Sequence, residues 1–157
     1  MSLEVALYRP EIPPNTGNIA RLCVNAGVPL SIVGEPSFDL SEKAVRRAGL
    51  DYWKDLEFHQ FPTYETFLET KTKEGKRIFL VSKFGKKLYW DVSFQAQDVF
   101  LFGRETSGLP EEIHKGHPSD QIISIPMAEA SRSINLSNAV AIILYEAVRQ
   151  EKTRTNP

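Results

Sequence analysis

The sequence has one cysteine, no long apolar run and almost no excess of charge of either sign. The single cysteine, Cys23, excludes an internal disulfide and is typical of a reducing compartment, so we expect a cytoplasmic protein. No apolar run reaches the length of a membrane span, and no secretory signal is recognisable at the start of the chain. The histidines are too scattered for a metal-ligand pattern, so we expect no bound metal: His59, His114 and His117.

Composition bounds the size and class of the protein. Hydrophobic residues make up 41% and charged residues 25% of the 157 positions, as in an ordinary globular protein. We therefore expect one domain over residues 1–157, with a frayed tail from about residue 152. The formal net charge of −1 excludes a globally basic nucleic-acid binder. A nucleic-acid partner would have to be bound by a local patch.

Strand and helix patterns alternate along the chain. Short apolar runs predict strands at residues 3–8, 29–33, 56–61, 77–82, 99–102 and 122–125. Helices are predicted at residues 15–26, 41–48, 63–72 and from 136, with a short helix whose first turn holds Pro110. Asn15, Ser41 and Thr63 are the expected N-caps, and the prolines before Asn15 are expected to exclude regular structure there. This alternation predicts an α/β fold with a mostly parallel sheet and helices on both faces.

Residues 122–150 form the most informative stretch. A strand-like run ends at Pro126, a loop of small polar residues follows, and a broadly apolar helix begins at Leu136. The polar residues of the loop gather where a strand gives way to a helix, which is where ligands bind in open α/β sheets. The alternative is an ordinary Ser or Asn N-cap.

Two further polar clusters follow predicted strands. In the first, Asn18 and Arg21 share a helix face, where a planar cation suits a phosphate; the alternative is that Arg21 is an ordinary surface residue. In the second, Gly103 and Gly108 would let backbone approach a ligand, the alternative being a glycine-containing turn. A phosphate loop is excluded because no Lys follows Gly108, and dinucleotide and hydrolase signatures are absent. Because all three clusters lie at predicted strand-to-helix junctions, we expect them to meet.

The three clusters resemble the three motifs of the SPOUT-class (SpoU-TrmD) RNA methyltransferases. The matching segments are NTGNIAR at residues 15–21, FGRETSGLP at 102–110, and IPM followed by SRSINLSNAVA within 125–141. The opening LYRPEIPPNTGNIARLC and RRAGLDYW at 46–53 resemble one family of that class. This family comprises the small tRNA wobble-position ribose 2′-O-methyltransferases of the TrmL or YibK type. The resemblance covers nearly the whole chain.

The resemblance implies a SPOUT fold whose C-terminal segment forms a deep trefoil knot, against the general rule that chains are unknotted. It implies S-adenosyl-L-methionine as the cofactor, bound among the loops of the knot. It also implies a homodimer to which the apolar last helix would contribute, although a buried core helix explains the same pattern. The cofactor-binding positions that it implies are Val81, Gly103, Glu105, Gly108, Ile125, Met127, Ser133 and Asn135.

The activity implied is methyl transfer to the ribose 2′-hydroxyl of a wobble cytidine or uridine in leucine tRNA isoacceptors. Similar enzymes assign proton removal to the motif arginine, here Arg21; because a guanidinium stays protonated, phosphate positioning is the other role considered. Asn15 and Ser133 are the other candidate catalytic residues and would position substrate or cofactor. The candidate substrate-binding residues are Arg21, Asn18, Arg46, Arg47 and Tyr145. Tyr145 is equally explained as a half-buried tyrosine.

The expected RNA partner, the anticodon stem-loop of a tRNA, requires local positive charge. Besides Arg46 and Arg47, the basic candidates are Lys71, Lys73, Lys76, Arg77, Lys83, Lys86 and Lys87. Tyr89 and Trp90 lie beside the last three and would stack on unpaired bases. Two alternatives remain open: methylation of ribosomal RNA, and a non-catalytic cofactor-binding or RNA-binding module.

Overall fold

The described part of the chain forms a seven-stranded sheet with α-helices packed on its two faces. The computed structural model describes residues 2–41, 43, 47, 53–131 and 133–155. The strands are β1 (Glu4–Tyr8), β2 (Leu30–Val33), β3 (Phe58–Phe61), β4 (Ile78–Val81), β5 (Lys87–Leu88), β6 (Val99–Phe102) and β7 (Ile122–Ser124). The helices are α1 (Pro13–Ala26), α2 (Tyr64–Lys73), α3 (Glu111–Lys115) and α4 (Leu136–Thr155).

The strand order is β3-β2-β1-β6-β4-β7-β5, and every strand pair is parallel. The predicted α/β fold with a mostly parallel sheet is therefore confirmed. Val81 at the end of β4 pairs with Phe102 at the end of β6 and with Ile123 in β7. Because parallel strands end at the same edge, the loops after β4, β6 and β7 emerge side by side.

Alternating side chains of the central strands fill two cores. Val5 and Leu7 of β1 belong to the larger cluster, which also contains Ile19 of α1 and Ile143 of α4. Ala6 of β1 points the other way, into the cluster that contains residues of α2 and α3. The central strands are buried on both faces, which explains why they read as continuous apolar runs, whereas the edge strand β3 is half-buried to exposed.

Helix α1 begins earlier than the sequence predicted. It starts at Pro13 with Ile12 as its N-cap, whereas Asn15 was the expected cap and the prolines were expected to exclude regular structure. That prediction is wrong because a proline in the first helical turn loses no hydrogen bond, and its fixed φ suits the helix. By contrast, Thr63 caps α2 as predicted, accepting a hydrogen bond from the Thr66 amide.

The predicted fraying from about residue 152 stays a prediction; α4 continues to Thr155. Gln150 donates to the carbonyl of Val92 and accepts from the amide of Phe94, and Arg154 donates to the Phe94 carbonyl. These hydrogen bonds hold the last turns of α4 against the segment between β5 and β6. None of the described helices is long and apolar enough to cross a bilayer.

Two further predictions, the helix at residues 41–48 and the trefoil knot, stay predictions. The predicted helix at residues 41–48 lies largely outside the described residues, of which only 41, 43 and 47 fall in that range. The trefoil knot stays a prediction. The chain path is compatible with it, because β7 lies between β4 and β5, which precede it in the sequence.

Candidate active site

A cavity of about 780 Å³ opens at the carboxyl edge of the sheet, between the loops that follow β4, β6 and β7. Its volume is in the range typical of sites for small molecules. Seven of the eight predicted cofactor-binding residues line it: Val81, Gly103, Glu105, Gly108, Ile125, Met127 and Ser133. The eighth, Asn135, lies next to the lining residues Ile134 and Leu136 and makes a different contact, described below.

The loop after β6 is closed by its own backbone. The Arg104 amide donates to the Gly108 carbonyl at 3.1 Å, and the Gly108 amide donates to the Arg104 carbonyl at 2.9 Å. A Cβ on Gly103 would lie 2.4 Å from the carbonyl carbon of Gly108, and Gly108 has a left-handed φ of 69°. Both glycines are therefore required by the turn itself. Close approach of a ligand was the sequence interpretation, but the nearest neighbour of Gly103 is the loop.

Glu105 joins this loop to the start of α1. Its Oε1 accepts a hydrogen bond from the Glu11 amide at 2.9 Å, and its Oε2 accepts one from the Ile12 amide at 2.9 Å. The Asn15 side-chain amide also donates to Oε2, at 3.4 Å. Backbone N–H groups at a helix start lack intrahelical acceptors and carry partial positive charge. The carboxylate of Glu105 therefore supplies the cap that Ile12 cannot.

A second contact runs in the opposite direction between the same two segments. The Glu11 carboxylate accepts hydrogen bonds from the Thr106 amide at 3.0 Å and from the Thr106 hydroxyl at 2.9 Å. Hydrogen bonding from the Thr106 amide and hydroxyl, together with the nearby Arg104 guanidinium, lowers the pKa of Glu11 below its usual value, against a smaller opposing effect of burial. The loop after β6 and the start of α1 are thus fastened together by two carboxylates, one from each side.

Asn15 extends this connection to the third motif. Its side-chain carbonyl accepts a hydrogen bond from the Asn135 amide group at 3.3 Å. The Asn135 side-chain oxygen accepts from the amides of Ser137 and Asn138 at 3.0 and 3.3 Å, which is an N-cap of α4. The chain Glu105–Asn15–Asn135 therefore brings the three polar clusters together, as the sequence predicted. Asn15, in the middle of this chain, is 7% exposed, whereas Glu105 is half-buried and Asn135 is exposed.

The other predicted catalytic and substrate-binding residues lie outside the hydrogen-bonded chain Glu105–Asn15–Asn135. Asn18 and Arg21 are exposed on α1, and Tyr145 is 43% exposed on α4. None of the three is among the described residues that line the cavity, whereas Ser133 is exposed at its wall. Their roles in binding and catalysis stay predictions. Arg47 is exposed, and Arg46 lies outside the described residues.

Outside the motif segments, the sequence analysis missed three residues that line the cavity: Ser82, Phe84 and His114. His114 Nδ1 lies 3.0 Å from the Pro110 carbonyl, which can only accept, so this nitrogen carries a proton. His114 Nε2 lies 2.7 Å from the Ser82 hydroxyl, and in the neutral ring it accepts from that hydroxyl. The spacing of Pro110 and His114, one helical turn, was the available signal, but no motif contains this histidine.

Two of the predicted RNA-binding cations, Lys71 and Arg77, make structural contacts instead. Lys71 is 4% exposed and its Nζ lies 2.8 Å from the buried Glu4 carboxylate. Arg77 makes two hydrogen bonds to Asp98 at 2.9 and 2.7 Å. Lys71 is unavailable to RNA because it neutralises a buried carboxylate at the amino end of β1. Among the same predicted cations, Lys73 is exposed on the last turn of α2, near this amino edge.

The last helix also differs from its interpretation as a dimer surface. Its most apolar residues pack inside the chain's own core: Leu136, Val140, Ile143, Leu144 and Ala147. Ile142 is only half-buried, and Tyr145 is exposed. The broad apolar pattern of α4 is therefore explained mainly by its packing against α1 and the sheet. Ile142 and Tyr145 form a narrower strip on the outer side of the helix.

Comparison with known proteins assigns the family. The SpoU rRNA Methylase family matches residues 2–145. A tRNA (cytidine(34)-2′-O)-methyltransferase of Aeromonas hydrophila is 46% identical, over 94% of each chain. A solved structure concerning 2-OH methylation of C/U34 on tRNA has a TM-score of 0.91 at 39% identity, over 97% of each chain. The SpoU methyltransferase AviRb of Streptomyces viridochromogenes in complex with the cofactor AdoMet has a TM-score of 0.85 at 28% identity, over 97% of this chain and 61% of that one. These matches confirm the resemblance carried by the three motifs, and the chain belongs to the SpoU rRNA methylase family.

Proposed function

We propose that the protein transfers a methyl group from S-adenosyl-L-methionine to the ribose 2′-hydroxyl of the wobble cytidine or uridine in leucine tRNA isoacceptors. The observation that carries the proposal is the chain Glu105–Asn15–Asn135, which joins the cavity wall to the helix bearing Arg21. The Aeromonas relative and the C/U34 structure support it, because both match along nearly their whole length. We place the enzyme in the cytoplasm, where its tRNA substrate is found.

The donor groups of the cavity fit the proposed cofactor. Apolar Val81 and Ile125 at the strand ends suit the faces of an adenine, and their backbone groups suit its edge. Hydroxyls of Ser131 and Ser133 suit the ribose and amino-acid parts. The Glu105 carboxylate in the wall favours a ligand that carries a sulfonium cation. When bound, the cofactor supplies the electrophilic methyl carbon.

Residues of α1 are assigned to the substrate side of the reaction. The Arg21 guanidinium presents a planar set of donors that suits a phosphate, and it thereby holds the neighbouring ribose in line for attack. Because a guanidinium remains protonated at neutral pH, we assign Arg21 to positioning and charge stabilisation rather than to proton removal. Asn15, fixed between Glu105 and Asn135, holds the start of α1 at the cavity wall. Ser133 is assigned to the cofactor or substrate at that wall.

The alternative substrate is ribosomal RNA, as the description of the family indicates. The wobble-position relative matches this chain over 94% of its own length, whereas 61% of the AviRb chain is covered. We favour tRNA because the full-length matches are to proteins named for position 34. A non-catalytic module is disfavoured because the chain holds all three candidate catalytic residues, Asn15, Arg21 and Ser133.

We also infer a homodimer. The support is the outer strip of α4, where Ile142 is half-buried and Tyr145 is 43% exposed. At the start of α1, a helix that packs against α4, Ile12 is 42% exposed. Apolar side chains that remain exposed after the core is filled are typical of association surfaces. Sedimentation at micromolar concentration should show a dimer, and a monomer at that concentration would contradict the inference.

The experiment for the reaction is transfer of labelled methyl from S-adenosyl-L-methionine to purified tRNA, with the modified nucleotide mapped by digestion. Arg21→Ala should lose about a hundredfold or more of the turnover, since it removes a charge-positioning group. Arg21→Lys should recover little, because a point charge lacks the planar fork. Lys73→Ala is the matched control, because Lys73 is an exposed cation at the opposite edge of the sheet. Cofactor affinity, measured by calorimetry, should stay unchanged in all three.

Three outcomes would contradict separate parts of this proposal. Label on a base would exclude ribose methylation, and label outside the anticodon loop would exclude the wobble position. Methylation of ribosomal RNA in preference to tRNA would establish the alternative substrate. Full turnover in a folded Arg21→Ala protein would remove Arg21 from the site.

A further inference from the structure

Phe84 is the most exposed of the large apolar side chains in the described part of the chain, at 69%. It lies in the turn after β4, where it lines the cavity together with Lys83 and His114. A phenylalanine exposed at a cavity mouth has lost little of its contact with water on folding, so it contributes little to the stability of the fold. The role of its ring must therefore be sought outside the core.

The turn that carries Phe84 is firmly braced. The Phe84 amide donates to the Ser82 hydroxyl at 3.2 Å, and the Gly85 amide donates to the Ser82 carbonyl at 3.0 Å. Gly85 lies so close to β7 that a Cβ on it would be 2.5 Å from the carbonyl carbon of Ile123. The ring is thus presented outward by a fixed backbone, which limits the entropy lost when a ligand stacks on it.

The surroundings of the ring are cationic. Lys83 Nζ lies 5.3 Å from the ring centroid of Phe84, and the His114 ring meets it edge-on with centroids 5.8 Å apart. Lys86 and Lys87 are exposed nearby on the edge strand β5 and the residue before it. Residues 82–90 contain no carboxylate; the nearest acidic positions along the chain and on α3 are Asp91, Glu111 and Glu112. Trp90, 54% exposed, ends this basic and aromatic segment.

We propose that residues 82–90 form a docking surface for single-stranded RNA, in which Phe84 stacks on an unpaired base beside the target nucleotide. Lys83 and the lysines of the β5 edge contact the flanking phosphates. This inference rests on the proposed function and deepens it, because it identifies the surface by which the RNA strand reaches the cavity. Aromatic rings interleaved with lysines are the combination that binds unpaired nucleotides. In a chain whose net charge is −1, such a local patch is required.

Two other occupants fit this surface less well. The cofactor is assigned to the strand ends and the loop after β6, whereas the Phe84 ring is 69% exposed and leaves its surface open to a second ligand. A second copy of the chain, packed about a two-fold axis at Phe84, would place the lysines of one copy against the same lysines of the other. RNA carries the opposite charge and supplies flat bases for the exposed ring.

The test is an equilibrium binding titration of an RNA hairpin that carries the anticodon-loop sequence. Binding is measured by fluorescence anisotropy in the presence of saturating S-adenosylhomocysteine. Phe84→Ala should weaken binding by about 5- to 100-fold, as expected for the loss of one stacked base, while Phe84→Tyr should keep it. Leu68→Ala is the matched control, since Leu68 is an exposed apolar residue on α2. The same sequence annealed into a full duplex should bind weakly and respond little to Phe84→Ala.

Salt dependence tests the lysines separately. Lys83→Met should reduce the slope of log affinity against log salt by about 0.7, the value for one phosphate contact on a single strand. Lys73→Met, an exposed cation at the opposite sheet edge, should leave the slope unchanged. Unchanged slope in a folded Lys83→Met protein would overturn the phosphate contact.

The remaining outcomes each overturn the proposal in a recognisable way. Unchanged RNA affinity in folded Phe84→Ala would exclude stacking. Weakened cofactor affinity in calorimetry would assign Phe84 to the cofactor, and dissociation to monomers in sedimentation would assign it to an interface between copies. Failure of the proposed function has a different signature: the wild-type protein would bind the hairpin through Phe84 yet place its methyl group elsewhere.

Discussion

Replacing Glu105 by glutamine tests whether the cavity loop and helix α1 act as one unit. The carboxylate accepts two backbone hydrogen bonds of 2.9 Å, one on each oxygen, from Glu11 and Ile12. Glutamine has the same shape but only one acceptor oxygen. Its NH₂ group would therefore face a backbone N–H, donor against donor, at the start of α1.

The magnitude follows from these contacts. A hydrogen bond to a charged group contributes about 1.5–3 kcal/mol, and a carboxylate at a helix N-terminus contributes about 0.3–1 kcal/mol. Because Glu105 is partly exposed, water compensates some of the loss, and we expect a destabilisation of about 1–3 kcal/mol. For a chain of this size, each kcal/mol lowers the melting temperature by about 2–4 °C. Cofactor affinity should fall as well, because the Gly103–Gly108 loop loses one of its two connections to the start of α1, the other being the contact between Glu11 and Thr106.

The assay is thermal unfolding of Glu105→Gln and wild type, with and without S-adenosylhomocysteine, together with calorimetric titration of the cofactor. Glu111→Gln serves as the control, because Glu111 is an exposed acid on α3 whose only described ion pair is with Lys115. An unchanged melting temperature and unchanged cofactor affinity in Glu105→Gln would refute the coupling. Reduced stability with unchanged cofactor affinity would confine Glu105 to capping α1.

Three further predictions concern buried and perturbed groups. Lys71→Met should destabilise the fold by about 1–3 kcal/mol in urea unfolding, because the buried Glu4 carboxylate loses its 2.8 Å partner and keeps only Lys76 at 3.7 Å and the Ser31 hydroxyl; adding Glu4→Gln should recover part of the loss. The folded-state pKa of Glu11 lies below its usual 4.5, so its contribution to stability is present above that pH and is lost as the pH falls through the folded-state pKa. Glu11→Gln should therefore lose less stability than wild type on acidification below about 4.5; equal losses would contradict the Thr106 contact. Burial raises the pKa of the Cys23 thiol to about 12, so thiol reagents at mildly alkaline pH should label it only on unfolding.

Sequence patterns predicted the features that depend on local chemistry. The central strands are continuous apolar runs, and Thr63 was recognised as a cap because a threonine directly before a helical segment is a common N-cap. The start of α1 was misplaced because its cap comes from Glu105, more than ninety residues further along the chain. Sequence patterns of neighbouring residues alone assigned the capping role to Asn15.

In the candidate active site, too, the features set by local sequence were predictable and those set by contacts between distant segments were not. The three polar clusters were expected to meet because strand ends share an edge of a parallel sheet, and they do. The exchange of carboxylates between Glu11 and Glu105 was not predictable, since both contacts depend on how two distant loops approach each other. Likewise, the sequence around Lys71 is rich in lysine and predicted a surface cation. Its burial is explained by its ion pair with Glu4 at the amino end of β1, which the sequence does not reveal.

The position of β7 between β4 and β5 affects how the sheet can fold during synthesis. Both neighbours of β7 leave the ribosome before it, yet neither can complete its pairing until residues 122–124 arrive. A nascent chain that ends near residue 120 would expose an unpaired edge of β4 beside the braced turn at Gly85. We therefore expect the last step of sheet formation and the appearance of cofactor binding to coincide, because Ile125, Met127 and Ser133, which follow β7, line the cavity. Ligand binding would then report the completion of the sheet in a single measurement.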